Sequence, residues 1–244
     1  MSGLVGSVEG NSGVIGAMTG PGFKSMQVFT STGTSTWTKP KGINTIKVFV
    51  TGGGGGAGAQ GNINDGDRAS GGGAGGTAIK VLDVTHIDTC TATVGAGGSG
   101  GAHTPNKQNG NAGSTSSFAK ATGSGSFTTV QATGGNGGKN GDNGGVEGAS
   151  GGSGSGGDIN LYGSGSQGGW DNSDSESYDP GGTPGGSSFW GGGGRTTGYT
   201  PDTRTSRVGY HGGGGGAGSY GSNASVQQAG GNGGDGIIVV EEYI

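Results

Sequence analysis

Residues 45–61 read TIKVFVTGGGGGAGAQG. The first seven alternate, with Ile46, Val48 and Val50 on one side, the period of a β-strand with one buried face. The strand runs directly into glycine. Gly52, Gly55, Gly58 and Gly61 fall three residues apart. Three residues make one turn of a polyproline II-type helix, which has no internal hydrogen bonds and leaves its backbone groups pointing outward. Glycine at every third residue bares one edge of such a helix, so another segment can approach closely. The stretch therefore predicts a strand-built base from which packed glycine helices project.

The same register recurs. Gly135, Gly138, Gly141 and Gly144 keep it, and after a one-residue slip so do Gly145, Gly148, Gly151, Gly154 and Gly157. Gly212, Gly215, Gly218 and Gly221 follow it again. At roughly 3.1 Å per residue, an unbroken rod over 135–157 would be about 70 Å long. That tract is expected to fold back into two or three short rods. Strand signals separate the tracts at 27–30, 36–40, 77–84, 89–94, 116–121, 126–132 and 236–243. Pro40 closes the second of these, which suits an edge strand or a strand end. No helical periodicity is present. The expected fold is all-β: a small β-sandwich-like base with packed polyglycine II helices and projecting loops, and essentially no α-helix. The domain covers 27–244. Residues 1–26 read as an extended arm, with Leu4, Val5, Val14 and Ile15 as its apolar anchoring pairs.

Composition removes several classes. Glycine fills 70 of 244 positions with only 6 prolines. A collagen helix needs an unbroken register and much more proline. Hydrophobic residues make up 26% of the chain, too few for a wholly conventional core. Ordering so much glycine costs extra backbone entropy. Dense backbone bonding, close contact or oligomerisation has to offset it. Charged residues are 11% with a net charge of −4 and no basic stripe, which argues against nucleic acid. Cys90 is the only cysteine, so there is no disulfide framework and no cysteine knuckle for a metal. Residues 1–26 lack the pattern of a secretory signal. No stretch approaches the roughly 20 apolar residues of a membrane span, so no membrane insertion is expected.

Several motifs are traps. GxGxxG recurs, but in a chain this rich in glycine that is chance, and no strand–helix context supports a nucleotide site. Residues 230–238 (GGNGGDGII) match one copy of a calcium β-roll repeat. That fold needs tandem copies, so Asp235 is read as a turn residue before the last strand. The acidic clusters 62–67 and 171–179 are read as solvated loops in preference to Ca²⁺ cages. His86, His103 and His211 fall in no local motif. Glu241 and Glu242 lie on opposite faces of a strand and would not share a site. No catalytic residue, cofactor or metal is expected, and the chain is read as a non-enzyme.

Aromatics set inside glycine-rich loops carry more information: Trp170, Tyr178, Phe189, Trp190, Tyr199, Tyr210 and Tyr220. Aromatic rings beside Asn, Ser and Asp give binding loops large contact area at low entropy cost. Phe189 and Trp190, in GGSSFWGGGG, are read as packing on the rods. Trp170, Asp171 and Tyr178 lie in a polar acidic loop and are read as a binding surface. Tyr199 and Tyr210 flank Arg204 and Arg207 in a second such loop.

In order, the segments VFTSTGTSTWTKPKGINTIKVFVTGGGGGAG, GGGAGGTAIKVLDV, ATVGAGGSGG, GSTSSFAKATG, QATGGNGG, GGTPGGSSFWGGGG, YHGGGGGAGSYG and AGGNGGDGIIVVEEY resemble the glycine-rich distal domain of bacteriophage tail-fibre proteins and the related tail-tip adhesins. The resemblance covers about residues 27–244. FTSTGTSTWTKP, GGSSFWGGGG and GIIVVEEY are its most specific parts. It implies packed polyglycine II helices on a β-structured base, with tip loops that recognise a host surface. The function implied is a receptor-binding protein of the virion, made in the host cytoplasm. It would attach non-covalently to a bacterial surface glycan or outer-membrane protein. Loops 103–110, 170–180 and 195–211 are then the expected recognition surface, which adds His103 and Lys107 to the candidates. Residues 1–26 become an anchor to another virion protein, and a homotrimer is expected. The alternatives are a structural virion decoration or head fibre without receptor activity and, less favoured, an ice-binding bundle of glycine helices.

Overall fold

The computed structural model describes residues 22–59, 69–102, 108–141, 146–169, 183–196, 208–217 and 229–244. These residues form two five-stranded antiparallel sheets and no helix. The first sheet takes β1 (Phe23–Phe29), β3 (Thr45–Thr51), β4 (Thr77–Asp83), β9 (Ile159–Leu161) and β10 (Ile237–Tyr243), in the order β1-β10-β3-β4-β9. The second takes β2 (Gly33–Thr38), β5 (Ile87–Val94), β6 (Ser116–Gly123), β7 (Val130–Ala132) and β8 (Gly154–Ser155), in the order β2-β5-β6-β7-β8.

The sheets pack face to face. Ile46, Val48, Val50, Ala78, Leu82, Ile238 and Val240 of the first meet Trp37, Cys90, Ala92, Val94, Phe118, Val130 and Ala132 of the second. This is the core that the alternation of 45–51 predicts, since removing apolar surface from water is the main favourable term in folding. Trp37 meets Phe118 edge to face at 6.1 Å between ring centres. β2 is an edge strand, as Pro40 suggests. Burial pushes the Cys90 thiol up to about 12. Between its ordinary value of 9.0 and about 12, the unfolded chain releases a proton that the folded chain keeps, so stability falls as pH rises through that window. Cys90 is also expected to resist a soluble thiol reagent at pH 8 until denaturant unfolds the chain; rapid labelling of the native protein would contradict its burial.

One polar knot joins the sheets. Glu242 is 1% exposed. Its carboxylate accepts from Ser25 Oγ at 2.5 Å and Gln27 Nε2 at 2.7 Å on β1, and from Trp37 Nε1 at 2.8 Å on β2. The neighbouring Glu241 faces the other way and accepts from the Tyr243 hydroxyl at 2.8 Å. That bond, helped by burial and the Glu241 charge, raises the Tyr243 pKa.

The glycine segments are polyglycine II rods in a lattice. Rod 52–59 lies at its centre. Its amides donate in rotation: Gly52, Gly55 and Gly58 to Gly76, Gly73 and Ser70; Gly53, Gly56 and Ala59 to Ser114, Asn111 and Gln108; Gly54 and Ala57 to Gly234 and Gly231. Its carbonyls receive in the same rotation, from Gly98 and Gly101, from Gly135, Gly138 and Gly141, and from Gly215. These bonds are 2.8–3.1 Å long. Every buried amide and carbonyl needs such a partner, and the three-residue turn delivers one to each neighbour. Rod 69–76 is surrounded in a similar way, bonding to 133–141, 212–217, 164, 152 and 186 as well as to 52–59.

A bare edge at every third residue describes only the outer rods. In 134–139, exposure cycles through intermediate, buried and exposed, with Asn136 and Lys139 outward. The central rods are hemmed in on all sides, so they need consecutive glycines. A Cβ on Gly53, Gly54 or Gly55 would fall inside the carbonyl of Ala96, Gly213 or Asn136 respectively, each in a different rod. Alanine also enters the central rods, and Ala57, Ala69 and Ala217 pack together there.

Four details differ from expectation. β1 begins at Phe23, before the predicted run at Gln27, because Phe23 pairs with Tyr243 and meets its ring edge-on. β7 is shorter than 126–132. The tract 135–157 breaks into rods as expected but ends in β8, and β9 follows; both strands are imposed by pairing and lack β-forming composition. Asp235 belongs to rod 229–236 and is no turn residue. Its carboxylate accepts from the Gly97 amide at 2.9 Å, as the Asn232 side chain does from Gly100 at 2.8 Å.

Candidate functional site

The lattice has two poles. Rods 52–59, 95–101 and 133–141 leave β3, β5 and β7 and run parallel to one another, as their bonding order shows. Rods 69–76, 108–115 and 229–236 run back antiparallel and enter β4, β6 and β10. At the rod ends Ala59 donates to the Gln108 carbonyl and accepts from the Gly141 amide. Thr183 and Ala217 are likewise joined. All these ends lie at the pole opposite the sheets.

His103, Lys107, Trp170, Asp171, Tyr178, Tyr199, Arg204 and Arg207 lie outside the described residues, as do the arm residues Leu4, Val5, Val14 and Ile15 and both acidic clusters. Tyr210 is described, and the structure separates it from the far pole. Its amide bonds the Gly192 carbonyl at 3.2 Å, and its carbonyl accepts from Gly213 at 2.8 Å across a tight turn. The turn needs left-handed backbone at two successive residues, His211 (φ 39°) and Gly212 (φ 82°), which is a type I′ geometry. It places Tyr210, 71% exposed, at the pole where rods meet sheets.

A second loop lies beside it. The Ser188 hydroxyl accepts from the Gly191 amide at 2.9 Å and donates to the His211 carbonyl at 2.6 Å. This ties the Ser188–Gly191 turn to the Tyr210 turn. Phe189 and Trp190 project from it onto Phe49 of β3, with ring centres 6.1 and 5.5 Å away. Lys47 Nζ sits 4.7 Å from the Phe49 ring centre, a cation–π contact. Phe189 and Trp190 thus pack as read from sequence, yet on the sheet as well as beside the rods, and each stays partly exposed.

Beneath them, the outer face of the first sheet is apolar. Directly paired residues share a face, and the register aligns Val28, Val239, Phe49, Ile79 and Ile159 in one row across all five strands. The next row is Met26, Glu241, Lys47 and Val81. The outer face of the second sheet carries Thr34, Thr36 and Thr38 opposite Thr93, Thr91 and Thr89, as a solvated face would. Sequence reading missed this contrast because it took 45–51 as a strand with one apolar face; Phe49 there, and Ile237 and Val239 in the apolar run 236–243, were the available signal.

An all-β sandwich bearing a polyglycine II lattice defines the class of this protein. Residues 30–243 match the glycine-rich domain family, and the chain belongs to it. No curated protein matches the chain.

Proposed function

We propose that this chain is a bacteriophage tail-fibre or tail-tip receptor-binding protein that attaches the virion to a bacterial surface. The observation that carries the reading is the two-pole lattice. Outgoing and returning rods are bonded on several sides, and the rod ends Ala59, Gln108 and Gly141 lie together at one pole, away from the sheets. Loops held by a rigid frame lose little freedom on binding, and many copies on one particle turn weak contacts into firm attachment. The connections 170–182 and 197–207 contain Trp170, Tyr178, Tyr199, Arg204 and Arg207, residue types that form binding hot spots. The sheet pole and residues 1–26 are left to join other virion proteins.

Labelled protein applied to a panel of host bacteria tests the reading. Strain-specific, saturable labelling is expected, lost on strains stripped of either surface polysaccharide or one outer-membrane protein. Replacing Trp170 and Tyr178 with Ala should weaken it at least tenfold with the melting temperature unchanged. Folded protein that labels no relevant host would move the assignment to a virion decoration without receptor activity.

A further inference from the structure

We infer that residues 1–21 of the chain itself fold back across the outer face of the first sheet and cover its two open flanks. The centre of that face is already closed: Phe189 and Trp190 lie on Phe49, and Phe49, Ile79, Ile237 and Val239 are buried. On the β1 flank Phe23, Met26 and Val28 are 61%, 53% and 47% exposed; on the β4–β9 flank Val81 and Ile159 are 55% and 54% exposed. Apolar side chains on both flanks are left to water, at a cost in free energy. The outer face of the second sheet, by contrast, presents paired threonines. Each flank holds only two or three of these side chains, and the loop stands between them. To a separate molecule that is far less than the roughly 800 Å² each partner contributes to a stable complex. A tethered segment needs no such area, because its local concentration is already of millimolar order.

Position, length and charge select the arm. β1 is the outermost strand of the sheet. Gly22, whose carbonyl accepts from the Ile244 amide at 3.2 Å, leads straight into it. Gly20-Pro21-Gly22 sets proline and glycine in the order of the two central residues of a type II turn, so the preceding chain can reverse there onto the β1 flank. Its branched apolar residues include two pairs, Leu4-Val5 and Val14-Ile15. Neighbouring strands lie about 4.8 Å apart, which sets Val28 and Ile159, at the two ends of one row, roughly 19 Å apart. The stretch from Leu4 to Val14 reaches at least about 33 Å when extended. One pair can therefore sit on each flank, with slack to pass the Phe189–Trp190 loop. Glu9, the single charged side chain of 1–21, falls midway between the pairs. Lys47 stands in the middle of the face, over Phe49, and its cross-strand neighbour Glu241 is held by the Tyr243 hydroxyl. Opposite charges thus meet where the arm crosses. The inference concerns the free chain and stands whether or not it meets a host surface. A virion partner that takes hold of residues 1–21 must first lift them from the sheet.

Peroxide oxidation of Met26 in the full chain, followed by mass spectrometry of its peptide, tests it. Met26 should form its sulfoxide at least about fivefold faster in Val14→Asp with Ile15→Asp than in the wild type, because the charged arm leaves the β1 flank open to peroxide. The difference should be the same at low and high micromolar protein. Leu4→Asp with Val5→Asp should likewise raise hydroxyl-radical labelling of Val81 and Ile159. Neither variant alters a residue of the sheets, and circular dichroism checks that both stay folded. Equal Met26 rates in wild type and variant would overturn the inference, whether fast, with the flank open, or slow, with something else upon it. So would protection lost on dilution, which would give the face to another copy. Where aspartate prevents folding, Val14→Ser with Ile15→Ser takes its place.

Discussion

Replacing Gly54 with Ala is expected to cost at least about 3 kcal/mol, a large share of the roughly 5–15 kcal/mol total of a typical domain. Two effects compete. Alanine restricts the unfolded chain and on that account would stabilise by about 0.4–1 kcal/mol. The added Cβ, however, lands inside the carbonyl of Gly213. That neighbour is backbone, so relief requires shifting a whole rod. The shift would strain the bonds from Gly215 to Gly55 and from Gly72 to Gly215. Overpacking a close-fitted interior usually costs about 1–3 kcal/mol even where flexible side chains can yield, and here none can. Ala112, exposed on rod 108–115, provides the contrast: Ala112→Ser should change stability by less than about 0.5 kcal/mol. Urea melts of the two variants beside the wild type decide the matter. A Gly54→Ala midpoint equal to that of Ala112→Ser would mean the rods are not packed as described.

The second large effect is at Glu242. Glu242→Ala should cost about 3 kcal/mol, because it strands the buried Trp37 indole N–H and frees Ser25 and Gln27, and each unsatisfied buried donor costs roughly 1–3 kcal/mol. Glu242→Gln keeps the shape and an acceptor oxygen for Trp37 and Gln27, while its amide can donate to the Ser25 hydroxyl. It should cost about 1 kcal/mol, the scale of exchanging a charged for a neutral hydrogen bond. Thermal unfolding gives the magnitudes, and the indole N–H resonance of Trp37 reports the bond itself. Equal losses for Ala and Gln would show that the carboxylate charge decides, and that shape and a neutral acceptor contribute nothing. Because the knot joins β1, β2 and β10, the Ala variant should also loosen β1.

Strands with ordinary chemistry were legible in sequence. Ile46, Val48 and Val50 alternate and are buried, and GIIVVEEY becomes β10 between β1 and β3. The three-residue glycine register was legible too, since it reflects the turn of the rod itself. What could not be read is which rod lies at the centre. That depends on neighbours supplied by distant segments, and Gly53 and Gly54, off the register, proved as necessary as Gly55. β8 and β9 were hidden for the same reason: nothing in Gly154–Ser155 favours a strand until β7 offers an edge. Glu242 was read only as facing away from Glu241; its buried role was hidden, because its three partners come from positions 25, 27 and 37. The candidate site was legible as composition only. Tyr210 was grouped with Tyr199, Arg204 and Arg207 by proximity in sequence, yet the turn at His211–Gly212 and the Ser188 hydroxyl hold it beside Trp190 at the sheet pole.

The central rod also dictates the order of events in folding. Rod 52–59 comes early in the chain, but its bonding partners run from residue 70 to residue 234, and β10 must slot between β1 and β3 to complete the first sheet. A nascent chain emerging from the ribosome can form the β3–β4 and β5–β6 hairpins. It cannot close the lattice until residues 229–244 have arrived. Assembly is therefore a single late event, slow in proportion to its distant pairings, and until it occurs the glycine segments have no partners other than water.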